Sequence, residues 1–223
     1  MDVRTITVSF ILNFSVNCYL VSAGEGFVLV DTGVSNRRAF LERELERAGC
    51  HPRDLNLIIL THGDFDHSGN AAYLRDRFQT KVAMHQGDLG FVERGDMFHN
   101  RKQPNAMVKA LMGLFSRLAP EDRFTPDVYL EDGADLSEYG LDARVINVTG
   151  HSRGSLVILT GEGDLFCGDL IGNTRRPELW SIMDDREAAR ASVERLKRLP
   201  VRVVYPGHGK PFSGEELRQI GVR

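Results

Sequence analysis

Residues 61–70 read "THGDFDHSGN", with two histidines and two aspartates inside six positions, directly after the apolar run "LNLIIL". Imidazole nitrogens and carboxylate oxygens are the donors that zinc, iron and manganese take. Four of them at the end of one buried strand form a metal-binding pattern. The pattern recurs along the chain. Of the seven histidines, His62, His67, His151 and His208 each stand in a glycine-containing turn after an apolar segment. Asp31 in "VLVDTG" and Asp169 in "LFCGDL" hold the same kind of position, as do Asp64 and Asp66. His51, His85 and His99 have no such company and read as surface or satisfied core residues.

Strand ends are where a rigid sheet can bring side chains from distant parts of a chain to one point. The elements needed for this are legible. "ITVSFIL", "CYLVSA" and "GFVLVDTG" have the β-branched and aromatic content of strands, and "LNLIIL" that of a fully buried strand. Residues 36–49 carry Phe40, Leu41, Leu45 and Ala48 at helical spacing and stop at Gly49. "SGNAAYLRDRF" reads as a second helix and "KVAMH" as a short strand. The second half repeats the grammar: "VYLED", "ARVINVTG", "SLVILTG" and "DLFCGDLIG" as strands, a helix over 185–199, then the apolar run "VRVVYPGHG". Two similar α/β halves in a single domain, 1–223, account for this order. Residues 86–126 interrupt it and read as a helical insertion over one end of the domain.

The chain has 223 residues, 42% of them hydrophobic and 26% charged, with a formal net charge of −3. That size and composition suit one domain with a large core and lack the basic field of a dedicated nucleic-acid binder. Cys18, Cys50 and Cys167 are odd in number and widely spaced, so they predict small core residues instead of a disulfide framework. The N-terminal residues lack the features of a signal peptide, and no apolar run is long enough for a membrane span. The expectation is a cytoplasmic protein acting on a small molecule, with neither nucleic acid nor membrane as partner.

The ordered series "VDTG", "THGDFDHSGN", "GHSRGS", "CGD" and "PGHG" resembles the metallo-β-lactamase superfamily over nearly the whole chain, from Asp31 to His208. The resemblance implies an α/β fold, a four-layer αβ/βα sandwich with a two-metal site at one edge. It implies that His62, Asp64 and His151 hold one metal and Asp66, His67 and His208 the other, with Asp169 bridging. Asp31 would orient a ligand histidine or its loop through hydrogen bonds. The chemistry it implies is hydrolysis: a hydroxide held between the metals attacks an ester, thioester, lactone or amide, with Asp66 as the catalytic carboxylate that orients it. The expected cofactors are two divalent ions, zinc first, with iron or manganese as alternatives.

One residue departs from the family pattern. The commonest motif is His-x-His-x-Asp-His, whereas this chain has His-x-Asp-x-Asp-His, with Asp64 at the variant position. Three carboxylates against two divalent ions leave a formal charge of about +1, where the usual set leaves about +2. A first site of two histidines and a carboxylate also favours harder ions. An iron-dependent oxygenase or redox protein is therefore a rival reading, and a phosphodiesterase another.

The residues around the site leave more than one reading open. Arg175, Arg176 and Lys210 could hold a substrate carboxylate or phosphate, or be solvated charges. Met107, Leu111, Leu114, Phe115 and Leu118 recur at helical spacing. They could pack on the domain, wall an acyl-like substrate, or form a homodimer contact. Lys102, Lys109 and Arg117 leave a membrane-surface role open for the same segment. Ser152 and Ser155 fit best as turn residues.

Overall fold

Leu20, Leu29 and Ile58 face one way, and Tyr19, Val21, Val28, Val30, Leu57 and Ile59 the other, and both sets are buried. This period-two alternation with no exposed face is what a sheet covered on both sides requires. The structure, a computed structural model, describes residues 1–11, 14–99, 101 and 117–221.

The first sheet has the order β1 (Val3–Ile11), β2 (Phe14–Ala23), β3 (Gly26–Val30), β4 (Leu55–Ile59), β5 (Val82–Met84) and β6 (Val128–Tyr129). It is antiparallel from β1 to β3 and parallel from β3 to β6. The second sheet comprises β7 (Ala143–Asn147), β8 (Leu156–Thr160), β9 (Asp164–Gly168), β12 (Val203–Pro206) and β13 (Phe212–Ser213), in the order β13-β12-β9-β8-β7. Between β9 and β12 the strands β10 (Ile171–Gly172) and β11 (Glu178–Leu179) form a short ribbon of their own.

Three apolar clusters define the layers. The central one joins Val21, Val30 and Ile59 of the first sheet to Val145, Ile158 and Phe166 of the second. On the outer face of the first sheet lie Leu41 and Leu45 of α1 (Arg38–Arg47) with Leu74 and Phe78 of α3 (Ala71–Phe78). Outside the second sheet lie Ala189, Val193 and Leu196 of α5 (Arg186–Leu196) and Leu217 of α6 (Gly214–Gln219). Helix, sheet, sheet and helix follow in turn, which is the αβ/βα sandwich.

The expected helix at 68–78 is two helices: α2 (Phe65–Ser68) and α3, hinged at Gly69 and Asn70. The side chain of Asn70 donates to the carbonyls of Thr32 and Val34, tying the hinge to the loop after β3. Within 86–126 the structure describes α4 (Leu89–Arg94), and Arg117 bridged to Asp96 in extended form instead of continuing a helix. Most of the helical face expected there, Met107, Leu111, Leu114 and Phe115 with Lys102 and Lys109, lies outside the described residues. Among the described residues no helix is long and apolar enough to cross a membrane. Cys18, Cys50 and Cys167 are free and buried in the core.

Candidate metal centre

Five loops, each leaving the end of a strand, converge at one edge of the two sheets. Asp31 follows β3; His62, Asp64, Asp66 and His67 follow β4 and enter α2; His151 follows β7; Asp169 follows β9; His208 follows β12. All eight residues are buried, between 0% and 9% exposed. Potential ligand atoms fall into three overlapping triads: His62–Asp64–His151, Asp66–His67–His208, and His62–His67–Asp169. The separations are those of ligands around an ion. His151 Nε2 lies 3.1 Å and His62 Nε2 3.7 Å from Asp64 Oδ2. Asp169 lies 3.3 Å from Nε2 of both His67 and His208, and Asp66 3.5 Å from His208. Donors about 2.1 Å from a tetrahedral ion stand about 3.4 Å apart.

Each histidine is turned the same way by a partner at its other ring nitrogen. His67 Nδ1 donates to Asp31 Oδ2 at 2.8 Å, and His151 Nδ1 to the Ile182 carbonyl at 2.7 Å. His208 Nδ1 donates to the Ser15 carbonyl at 2.6 Å. Thr61 gives its hydroxyl proton to Asp31 Oδ2, so its oxygen accepts from His62 Nδ1 at 3.0 Å. Nδ1 carries a proton in all four rings, and every Nε2 is aimed inward. His62 Nε2, His67 Nε2 and Asp169 Oδ1 are buried without a hydrogen-bond partner. Buried polar atoms are rarely left so. Three convergent buried atoms of metal-ligand type without a partner fit a cation site, and the imidazole and carboxylate set fits divalent ions.

Local backbone geometry is adapted to this purpose. Asp31 takes a left-handed conformation, φ 61°, uncommon for a non-glycine residue. In that conformation Oδ1 accepts the Thr61 amide at 2.8 Å while Oδ2 serves His67 and the Thr61 hydroxyl. Gly207 has to be glycine: a Cβ there would stand 2.3 Å from Asp169 Oδ1 and 2.7 Å from His67 Cε1. The adjoining Pro206 carbonyl accepts from Tyr19 Oη at 2.6 Å and Asn17 Nδ2 at 3.1 Å, so β2 holds the His208 turn in place. Trp180 stacks on the His208 ring with centroids 4.5 Å apart.

The electrostatics differ around the cluster. Burial, reinforced by His67 and His151, pushes His62 well below the ordinary imidazole range. For His208 burial acts in the same direction but Asp169 and Asp66 outweigh it, raising the ring to about 10. His67 is raised well above its usual value against burial by Asp169, Asp31 and Asp66. Asp169 is held well below the carboxylate range against burial by His208 and His67.

Two residues that sequence reasoning missed complete the site. Asp88 is fully buried and joins the two histidine loops. Its Oδ2 accepts from the Gly63 amide at 3.1 Å and the Ser152 hydroxyl at 2.6 Å, and its Oδ1 from the Gly154 amide at 2.9 Å. Ser152 and Ser155 are turn residues as expected, their hydroxyls 2.7 Å apart. Arg101, only 7% exposed, donates from Nη2 to Asp64 Oδ1 at 2.6 Å and lies over the Phe91 ring. Burial pushes the Asp64 carboxyl up, but Arg101, with His151 and His62, brings it well below its usual range. An aspartate where a metal motif usually has histidine invites a search for a compensating cation, and that is the signal that could have found Arg101. Arg175, Arg176 and Lys210 are exposed and do not join the buried cluster, and Arg176 pairs with Glu178 at 3.3 Å. Phe115 lies outside the described residues.

The profile of the metallo-β-lactamase superfamily matches residues 12–208, and the chain belongs to that superfamily. The chain is similar to a probable metallo-hydrolase of Methanocaldococcus jannaschii, 30% identical over 88% of this chain and 89% of the relative. It is also similar to the acyl-coenzyme A thioesterase MBLAC2 of Bos taurus, 29% identical over 92% of this chain and 76% of that one. Among solved structures, TTHA1623 in a di-iron-bound form superimposes with a TM-score of 0.73 at 28% identity, covering 98% of each chain. Site and family together make this a metal-dependent hydrolase.

Proposed function

We propose that the chain hydrolyses a small ester, thioester or lactone at a dinuclear centre. His62, Asp64 and His151 would hold one divalent ion and Asp66, His67 and His208 the other, with Asp169 shared between them. The observation that carries this is the common orientation of the four histidines, each with Nδ1 spent on an acceptor and Nε2 directed into the cluster. Bound divalent ions supply Lewis acidity and lower the pKa of a coordinated water, the chemistry that carbonyl hydrolysis at neutral pH requires.

The chain's own groups do the rest. Asp66 is the most open of the three carboxylates, its side chain 13% exposed against 5% for Asp64 and Asp169. In this reading it would accept a hydrogen bond from the attacking water and orient it. Asp31, Thr61 and the Ile182 and Ser15 carbonyls keep the imidazoles from turning. The acyl substrate class is supported by the thioesterase relative. Zinc is the first assignment, with iron second because of Asp64 and the di-iron form of TTHA1623. A cytoplasmic, small-molecule enzyme is the setting we assign.

The test is metal analysis on protein purified without chelator or affinity metal, followed by a panel of acyl thioesters, aryl esters and lactones. About two zinc ions per chain with turnover lost to chelator and restored by zinc is the expected result. Two iron ions with oxygen consumption and no hydrolysis would replace hydrolysis by oxygen chemistry. A chain that takes up no metal would overturn the proposal.

A further inference from the structure

Asp64 stands at the N-cap of α2, where an aspartate ordinarily accepts an amide of the first helical turn, yet its side chain makes no capping bond. Its two oxygens are divided instead. Oδ2 faces His151 and His62, and Oδ1 is taken by Arg101. Arg101 has Phe91 against its guanidinium face, the ring centroid 4.8 Å from Cζ, and Asp184 3.9 Å from Nε. Buried arginine of this kind is anchored, and its charge is permanent.

We propose that Asp64 and Arg101 act as one unit, a neutral stand-in for a third histidine at the first metal site. Arg101 is a positioning residue: it restricts Asp64 to ligation through Oδ2 and cancels the charge that the aspartate brings. With Arg101 counted, the charge around the centre returns from about +1 to about +2, that of the usual ligand set. The Asp64–Arg101 pair itself therefore adds no net charge to the ligand set, and the aspartate cannot be exchanged for histidine alone. A lone Asp64→His change restores the commonest family motif but takes from the buried guanidinium its 2.6 Å partner, leaving it Asp184 at 3.9 Å, beside three imidazoles and a divalent ion.

The inference rests on the reading of His62, Asp64 and His151 as a metal site, and the test separates the two. Metal-free wild type, D64H, R101Q and D64H/R101Q are titrated with Zn²⁺ against a chromophoric chelator. Bound metal is counted by elemental analysis, and the second site (Asp66, His67 and His208 untouched) serves as the internal reference. Thermal melts of the metal-free proteins establish that each variant is folded. The expected result is a reversal of sign: D64H loses first-site affinity by at least about tenfold, and adding R101Q to D64H restores it. A charge-retaining D64H/R101K variant should stay weak. The pair is refuted, with the metal site intact, if wild type loads both sites and D64H binds as tightly as wild type with Arg101 present. It is equally refuted if R101Q shifts affinity alike in the wild-type and D64H backgrounds. Wild type that loads the second site alone, or no site, overturns the first-site reading itself.

Discussion

The two halves of the candidate metal centre neutralise their carboxylates by different means. Around Asp66, His67 and His208 the negative charges of Asp31, Asp66 and Asp169 are met by imidazoles whose proton affinity rises in response. Around His62, Asp64 and His151 the negative charge of Asp64 is met by Arg101 and by His151, which Asp64 raises against burial, while His62 is pushed toward its neutral form. One half is balanced by protons that can leave; the other adds to the raised proton affinity of His151 a cation that cannot leave. A cluster that looks like one ligand list is thus two environments with different thermodynamic coupling to pH.

The largest effect that would test this comparison is removal of the shared group. Asp169→Ala should take metal-dependent turnover to background and lower metal content in both halves, by elemental analysis. Loss confined to one half would mean that Asp169 belongs to that half alone.

The pH dependence separates the halves. His208 is raised from its ordinary 6.5 to about 10 in the metal-free protein. Its charge pairing therefore stabilises the metal-free fold fully below about 6.5 and is lost as pH rises through about 10. An ion entering that half must displace this proton, so its uptake should weaken as pH falls from 10 toward 6.5 and release a proton measurable by calorimetry in buffers of differing ionisation enthalpy. Uptake in the half held by Arg101 should be flatter over the same window. Identical slopes would erase the distinction.

Asp31→Asn keeps the size of the side chain while removing the charge that holds His67 and Thr61. Metal affinity in the second half should drop by about 10–100-fold, as for other partners of ligand histidines, with His62 and His151 affected less. Trp180→Ala should have the smallest effect. Losing one aromatic face, about 0.5–1.5 kcal/mol, should loosen His208 and weaken second-half affinity by up to about tenfold, with first-half affinity unchanged.

Much of this was legible in the sequence because the fold alternates strictly between buried strands and polar turns. Each of the four strand-end histidines and Asp31, Asp64, Asp66 and Asp169 sits in a turn whose preceding apolar run identifies its place. The order of the motifs supplied the layers. What was not legible depends on contacts between distant segments. Asp88 carries no sign of its role in "HQGDLG"; only the packed structure brings its carboxylate to Gly63, Ser152 and Gly154. Arg101 in "FHNRKQPN" looks like part of a solvated basic run, and its burial against Phe91 is a tertiary fact. The formal charge count made from ligands alone was therefore incomplete. The split of the 68–78 helix also escaped, because the Asn70 contacts that impose it reach back to the loop after β3.

Each candidate triad joins the loop after β4 of the first sheet to loops of the second, and Asp64 and His151 are 87 residues apart. An ion in either proposed site would therefore cross-link the two sheets, closing a long loop in the way a disulfide would, while the three thiols stay buried and unpaired. Chelation should then do more than silence the enzyme: it removes the staples between the halves, giving the stripped chain a faster, less cooperative unfolding even where its resting structure is unchanged.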